Sequence, residues 1–339
     1  MTTKYTYKEI WLIAYPILIS LIMEQLIGMT DTAFLGRVGE IELGASAIAG
    51  VYYLAIFMMA FGFSIGAQIL IARRNGEQQY RTIGPIFYQG VYFLLALAIV
   101  AFTLSLCFSP HLLKLVISSQ HIYDASISYI NWRVFGFFFS FVGVMFRAFF
   151  VGTTQTKTLT LNSIVMVLSN IVFNYILIFG KFGFPALGIA GAAIGSSLAE
   201  MVSVIFFIVY TWKRIDCKKY ALNQLPSFQP ETLKRILNVS FWTMIQNFFS
   251  LSTWFMFFLF VEHLGERALA ITNIIRNVSG IPFMVAMAFA TTCGKFFIGI
   301  VFKIESNSSC QKNSKKYTNC FSIFILNNRD DKGEHSRNE

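Results

Sequence analysis

Charge is what this chain of 339 residues has least of: Asp, Glu, Lys and Arg together make up 13%, about half the share usual in soluble domains. An ordinary water-soluble globule is thereby excluded. Histidine is as scarce, and the four present, His111, His121, His263 and His335, have no metal-ligand spacing. None of the five cysteines forms a Cys-x-x-Cys pair, and Cys107 and Cys217 are isolated, so no disulfide framework is implied. The chain also lacks a Gly-x-x-x-x-Gly-Lys-Ser/Thr loop, so nothing in it binds ATP as a P-loop does. No cluster of His, Ser or carboxylate groups supports an enzyme, and no cofactor is expected. The net charge of +10 is spread in short clusters between apolar runs, a pattern unlike the interleaved basic face of a nucleic-acid binder.

What the chain has is apolar length. Hydrophobic residues make up 55%, with 37 phenylalanines, and the mean hydropathy is +0.60. Crossing a bilayer takes about 20 helical residues. The apolar runs predict eight such spans, at about 10–33, 44–71, 86–108, 124–149, 160–180, 186–211, 236–261 and 268–291. The first, behind Lys4 and Lys8, is too long for a signal peptide and lacks a small-residue cleavage pattern.

Basic residues give the orientation. With a cytoplasmic N-terminus, the inner segments hold Lys4, Lys8, Arg73, Arg74, Arg81, Arg147, Lys157, Lys213, Arg214, Lys218, Lys219, Lys234 and Arg235. The outer segments hold only Arg37, Lys114, Arg133, Lys181 and Arg267. This is the positive-inside pattern, and it predicts a multi-pass protein of the plasma (inner) membrane. The segment 213–235, with Pro226 and Pro230, reads as a cytoplasmic linker.

The chain also repeats itself. Shifting Gly39–Phe63 by 226 residues lays it on Gly265–Phe289 with eight identities, from Gly39/Gly265 and Glu40/Glu266 to Phe63/Phe289. Six spans separate the copies, an even number, so both enter the membrane in the same direction. Such parallel repeats usually enclose a cavity that opens alternately to each side. Transport is the expectation.

Three stretches carry a family resemblance: Met29 to Arg37 (MTDTAFLGR), Arg147 to Lys157 (ending GTTQTK) and Phe182 to Ala193 (FGFPALGIAGAA). Over about residues 8–292 the chain resembles the multidrug and toxic compound extrusion (MATE) transporters. The resemblance implies an all-α polytopic bundle built from six-helix lobes. It also implies export of small amphiphilic, often cationic, compounds in exchange for protons or sodium ions. On that reading residues 1–212 form one complete lobe and 236–293 the first two helices of a second. A monomer contacting substrate and membrane lipids is expected, with neither nucleic acid nor ATP as partner.

An ion-coupled exporter needs a group inside the membrane whose occupancy by a proton or cation can be linked to a change of shape. Asp31 is the first candidate, because an ionisable side chain in an apolar span is costly and marks function by default. The bland alternative is a solvated aspartate at a helix end. Asn170 and Asn174, four apart on one helical face, could supply neutral oxygens or hydrogen bonds to Asp31, or simply hold helices together. In one branch of the resembling family position 174 matches a second carboxylate; the asparagine here leaves the coupling ion open between proton and sodium. Glu24, mid-span beside Gln25, joins the cation-coupling set. Under the 226-residue shift Glu24 meets Ser250 and Asp31 meets Phe257, so coupling is expected in the amino-terminal lobe. Gln246, Asn247, Met58 and Asn273 are candidate cavity-lining residues, and Arg276 faces either the cavity or a helix end.

Gly62/Gly66 and Gly191/Gly195 have the spacing that lets membrane helices approach closely, and Pro16 and Pro282 are candidate kinks. From about Gly294 the apolar pattern stops and residues 303–339 become rich in Asn, Ser and Lys, with Cys293, Cys310 and Cys320 nearby. This atypical polar tail reads as a change of reading frame or an aberrant terminus, the alternative being a short disordered cytoplasmic tail. The alternatives are a membrane fragment that transports nothing and a flippase for lipid-linked sugars from the wider superfamily.

Overall fold

A computed structural model describes residues 7–280 together with 282 and 284. All regular structure among them is helical. The order is α1 (Tyr7–Leu35), α2 (Glu40–Gly76), a 3-10 turn (Tyr80–Thr82), α3 (Ile83–Val116), α4 (Gln120–Arg133), α5 (Gly136–Gly152), α6 (Lys157–Phe179), α7 (Gly188–Arg214) and α8 (Pro230–Glu262). A further helix, α9, runs through 266–280. Each expected span coincides with helix. Within the described residues α2, the stretch Tyr80–Val116, α6, α7 and α8 are long and apolar enough to cross a membrane, and the pair α4 and α5 makes a sixth candidate. The polar tail and the last residues of the eighth span lie outside the described residues.

One expected span is not a single helix. Where the apolar pattern of 124–149 predicts continuity, the chain turns at Val134 and Phe135 and α5 leaves α4 at 55°. The reason lies one residue on either side of the turn. Arg133, expected among the outer loop charges, is buried at 9% exposure, and Gly136 leaves the space its guanidinium fills. A Cβ at 136 would overlap Arg133 Nη1 and lie 2.6 Å from Glu200 Oε2, closer than any real contact.

α2 is the hub. It packs most extensively on α8 and also against α5, α4 and α3, while α6 pairs with α7 and α1 lies on α6. Glycine makes both main contacts possible, as its spacing led one to expect. A Cβ on Gly62 would meet the Met244 backbone at 2.7 Å and one on Gly66 would overlap the Ser240 hydroxyl; on the other pair, Gly191 faces the Leu177 carbonyl and Gly195 the Asn174 side chain. The Ser240 hydroxyl donates to the Phe63 carbonyl across the α2–α8 contact, 3.0 Å. Between the helices the core is largely aromatic: Phe63, Phe137, Phe141, Phe149, Phe150 and Phe258 are completely enclosed. Phenylalanine thus fills the interior of the bundle as well as facing lipid.

The segment between α7 and α8 is shorter than the expected linker, 215–229, and it is strapped to the start of α3. The Gly84 N–H donates to the Tyr220 carbonyl, 2.9 Å. The Gln89 carboxamide spans the strap, donating to the Ser227 carbonyl at 2.8 Å and accepting from the Gln229 N–H at 3.0 Å. Tyr88 donates to the Leu222 carbonyl, 2.6 Å. At the nearby end of α2, burial works to raise the Glu77 carboxyl, but Arg73 and Arg74 outweigh it and hold it below its ordinary range.

Candidate functional site

α1 carries Asp31 one turn from its C-terminal end, where the negative end of the helix dipole disfavours a carboxylate. Neighbouring side chains offset that. Asn174 Nδ2 donates to Asp31 Oδ1 at 2.5 Å, and the Ser196 hydroxyl donates to Oδ2 at 3.2 Å. The two donors are themselves joined: Asn174 Nδ2 also reaches Asn170 Oδ1, and Asn170 Nδ2 donates to Ser196 Oγ, both at 3.2 Å. Asp31, Asn174, Asn170 and Ser196 form a closed ring of hydrogen bonds across α1, α6 and α7. Both asparagines are fully enclosed, whereas Asp31 is half-buried. Within the ring one buried acceptor, Asn174 Oδ1, has no hydrogen-bond partner among the described residues. The sequence pattern placed Asp31, Asn170 and Asn174 as a group, and the structure brings them together. It did not single out Ser196, since one serine in a small-residue helix carries no signal.

A second charged centre adjoins the ring. Arg133 of α4 meets Glu200 of α7 in a two-pronged pair, Nη2 to Oε1 at 2.5 Å and Nη1 to Oε2 at 2.9 Å, with both residues buried. The guanidinium carbon lies 3.7 Å from the centre of the Tyr53 ring of α2, which stacks at 4.6 Å on Phe137. The Tyr53 hydroxyl is 3.1 Å from Glu200 Oε2 and 2.9 Å from Ser140 Oγ. Ser197 Oγ accepts from Arg133 Nη1 at 3.4 Å, and Ser197 is the neighbour in sequence of Ser196. Two carboxylates and one guanidinium therefore share this part of the bundle. Glu200 engages Arg133 with both oxygens, and among the described residues no cation is paired with Asp31. Glu200 was legible: it is a lone carboxylate within the apolar run of α7, the same signal that marked Asp31.

The other expected site residues are dispersed. Glu24 lies on α1, its side chain outside the described set. Gln246 is exposed on α8, and Asn247 and Met58 are half-buried. Asn273 is buried and joins α9 to α2, while Asn277 joins α9 to α1. Asn273 donates to the Leu43 carbonyl at 3.2 Å and accepts from Arg276 Nη2 at 3.0 Å, while Asn277 donates to Thr32 Oγ1 at 2.7 Å. Gln25 donates to the Asn277 carbonyl, 2.8 Å. Arg276 thus turns to Asn273 and to the face of Phe258, 5.0 Å from the ring centre. A cleft of about 290 Å³ opens beside this cluster, lined by Met29, Thr32, Leu43, Ile274, Asn277 and Val278. None of the four expected cavity residues lines it. No group of three or more His, Cys, Asp or Glu side chains that would hold a metal ion occurs among the described residues.

Known proteins resemble this arrangement as a whole. A model of the MatE family matches residues 16–176. A probable multidrug resistance protein NorM of Synechocystis is 29% identical over 292 residues, 84% of this chain and 62% of its own. A second, from Mannheimia succiniciproducens, is 27% identical over 295 residues, covering 85% and 63%. The chain therefore spans about three-fifths of the length of the curated relatives it matches. Among solved structures, the MATE multidrug transporter DinF-BH superposes with a TM-score of 0.76 at 18% identity, covering 85% of this chain and 64% of that one. The eukaryotic MATE transporter AtDTX14 gives 0.72 at 20% identity, covering 84% and 64%. Family model, relatives and fold agree: this all-helical bundle of apolar spans, a multi-pass membrane protein, is similar to the MATE transporters over most of its length.

Proposed function

We propose that the chain acts in proton-driven export of small amphiphilic, often cationic, compounds across the inner membrane, its N-terminus cytoplasmic and the ring at Asp31 the site of coupling. The observation that carries this reading is a carboxylate inside the bundle with hydrogen-bond donors on both oxygens and, among the described residues, no paired cation. Such a group takes up a proton when the cavity offers one and yields it when the cavity faces the other side. The names of the relatives, multidrug resistance proteins, support the substrate class. Residues 1–212 and 236–293 belong to two lobes joined by the strap, and rocking between them alternates access.

The test is efflux of a fluorescent organic cation from everted vesicles under an imposed pH gradient. Asp31→Asn, which keeps the size but neither the charge nor the second acceptor oxygen, is expected to lower the gradient-driven rate at least tenfold. An unchanged rate overturns the assignment of Asp31. A sodium gradient that drives efflux where a pH gradient does not overturns the choice of ion.

A further inference from the structure

The Arg133–Glu200 pair is elaborately built for two side chains about nine-tenths enclosed. Three helices contribute to it, a tyrosine supplies both ring and hydroxyl, and a glycine is required beside it. A pair that only fastened helices would gain little by being ionic, since well-packed apolar residues often stabilise as much. Its position offers a better reason. Ser196 and Ser197 are consecutive on α7, one bound to Asp31 and the other to Arg133, and Glu200 lies one turn further along the same helix.

We infer that Glu200 is a positioning residue for coupling: by holding Arg133 in a two-pronged pair it keeps the guanidinium from neutralising Asp31, and so leaves Asp31 open to a proton. This rests on the reading of Asp31 as the coupling group. An arginine free to lean towards Asp31 would satisfy the carboxylate permanently, and the site would no longer load. Among the described residues the charged and titratable groups around Asp31 are Arg133 and Tyr129 of α4, with Tyr53 of α2 and Glu200 of α7 behind Arg133 and Arg276 of α9 beyond Tyr129. α6 presents only the neutral amides Asn170 and Asn174. Of these, Arg133 is the cation that adjoins the ring, through Ser197, and among the described residues Glu200 is the one carboxylate that holds it.

The experiment uses the purified chain in nanodiscs and a hydrophobic carbodiimide, which modifies carboxyl groups in their protonated form. Labelling of the peptide containing Asp31 is followed by mass spectrometry as a function of pH. Glu200→Gln frees the guanidinium and is expected to move the midpoint for Asp31 down by about one pH unit or more, the size of effect a nearby opposite charge produces. Arg133→Gln leaves Glu200 as an unpaired anion and is expected to move it up. The double variant, neutral at both positions, is expected to return it to within a few tenths of a unit of the parent. A merely structural pair would lower thermal stability in all three without these opposed shifts.

If Glu200→Gln does not accumulate, Glu200→Asp keeps the charge but withdraws it towards α7 and is expected to shift the midpoint down by a smaller amount. Midpoints unchanged in every variant, with the parent still titrating, overturn the role of Glu200 and leave Asp31 in place. A parent chain in which labelling of Asp31 shows no pH dependence overturns the coupling assignment itself, and the positioning role with it.

Discussion

Arg133 shows how much depends on a single missing side chain. Its guanidinium lies where a Cβ at position 136 would have to be, so Gly136→Ala must displace either the arginine or the carboxylate it binds. The expected cost is about 1–3 kcal/mol, as for other overpacked sites, read as a lower unfolding temperature in detergent. Removing one partner of the pair alone, as in Arg133→Met, leaves Glu200 buried and uncompensated and is expected to cost about 3–5 kcal/mol. Arg133→Met combined with Glu200→Leu should cost less than Arg133→Met alone. At this scale the sequence was legible where chemistry is rare for its surroundings: Asp31 and the asparagines four apart stand out in apolar helices. Ser196 does not, because serine is common among small residues at helix contacts. Arg133 was hidden for a different reason. Its charge reads as a loop residue unless the turn after it is known, and neither Val134 nor Phe135 marks a turn.

Helix α2 contains an internal control for the close-packing argument. Gly62 and Gly66 lie against the α8 backbone and Ser240, whereas a Cβ on Gly50 would meet nothing within 4 Å. Gly50→Ala is expected to be neutral or to stabilise by up to about 1 kcal/mol, through helix propensity. Gly62→Ala must push α8 away and is expected to destabilise by more than about 1 kcal/mol. Thermal unfolding of the two variants side by side decides the point; equal behaviour would mean that α2 and α8 do not approach as described. Helix existence was readable from apolar length alone, and so were the contact faces, from glycine spacing. The bend between α4 and α5 was not, because no glycine–proline turn signal falls at Val134–Phe135 and Glu200, which holds Arg133 at the turn, is far away in sequence.

Across the whole chain the repeat is visible in the helix boundaries. α2 begins at Glu40 and α9 at residue 266, each after a glycine, and the preceding helices end at Leu35 and Glu262. A shift of 226 residues thus carries one corner onto the other, as the sequence identities foretold. The proposed orientation is checked by impermeant thiol labelling of cysteines introduced at two exposed positions, Val38 in the α1–α2 turn and Phe228 in the strap. With all five native cysteines replaced, position 228 is expected to react only from the cytoplasm and position 38 only from outside. The reverse pattern would invert the topology. The strap itself was legible as a connector by its prolines, but its attachment to α3 rests on carbonyl groups, which no side-chain pattern reports. That attachment also has a timetable. Gln89 and the Gln229 N–H it accepts from are 140 residues apart, and a ribosome adding about 5–20 residues per second needs roughly 7–28 s to make the second after the first. During that interval the carboxamide of Gln89, fully enclosed in the finished fold, has only water or passing partners. The start of α3 therefore stays wet until the segment that leads into α8 has been synthesised.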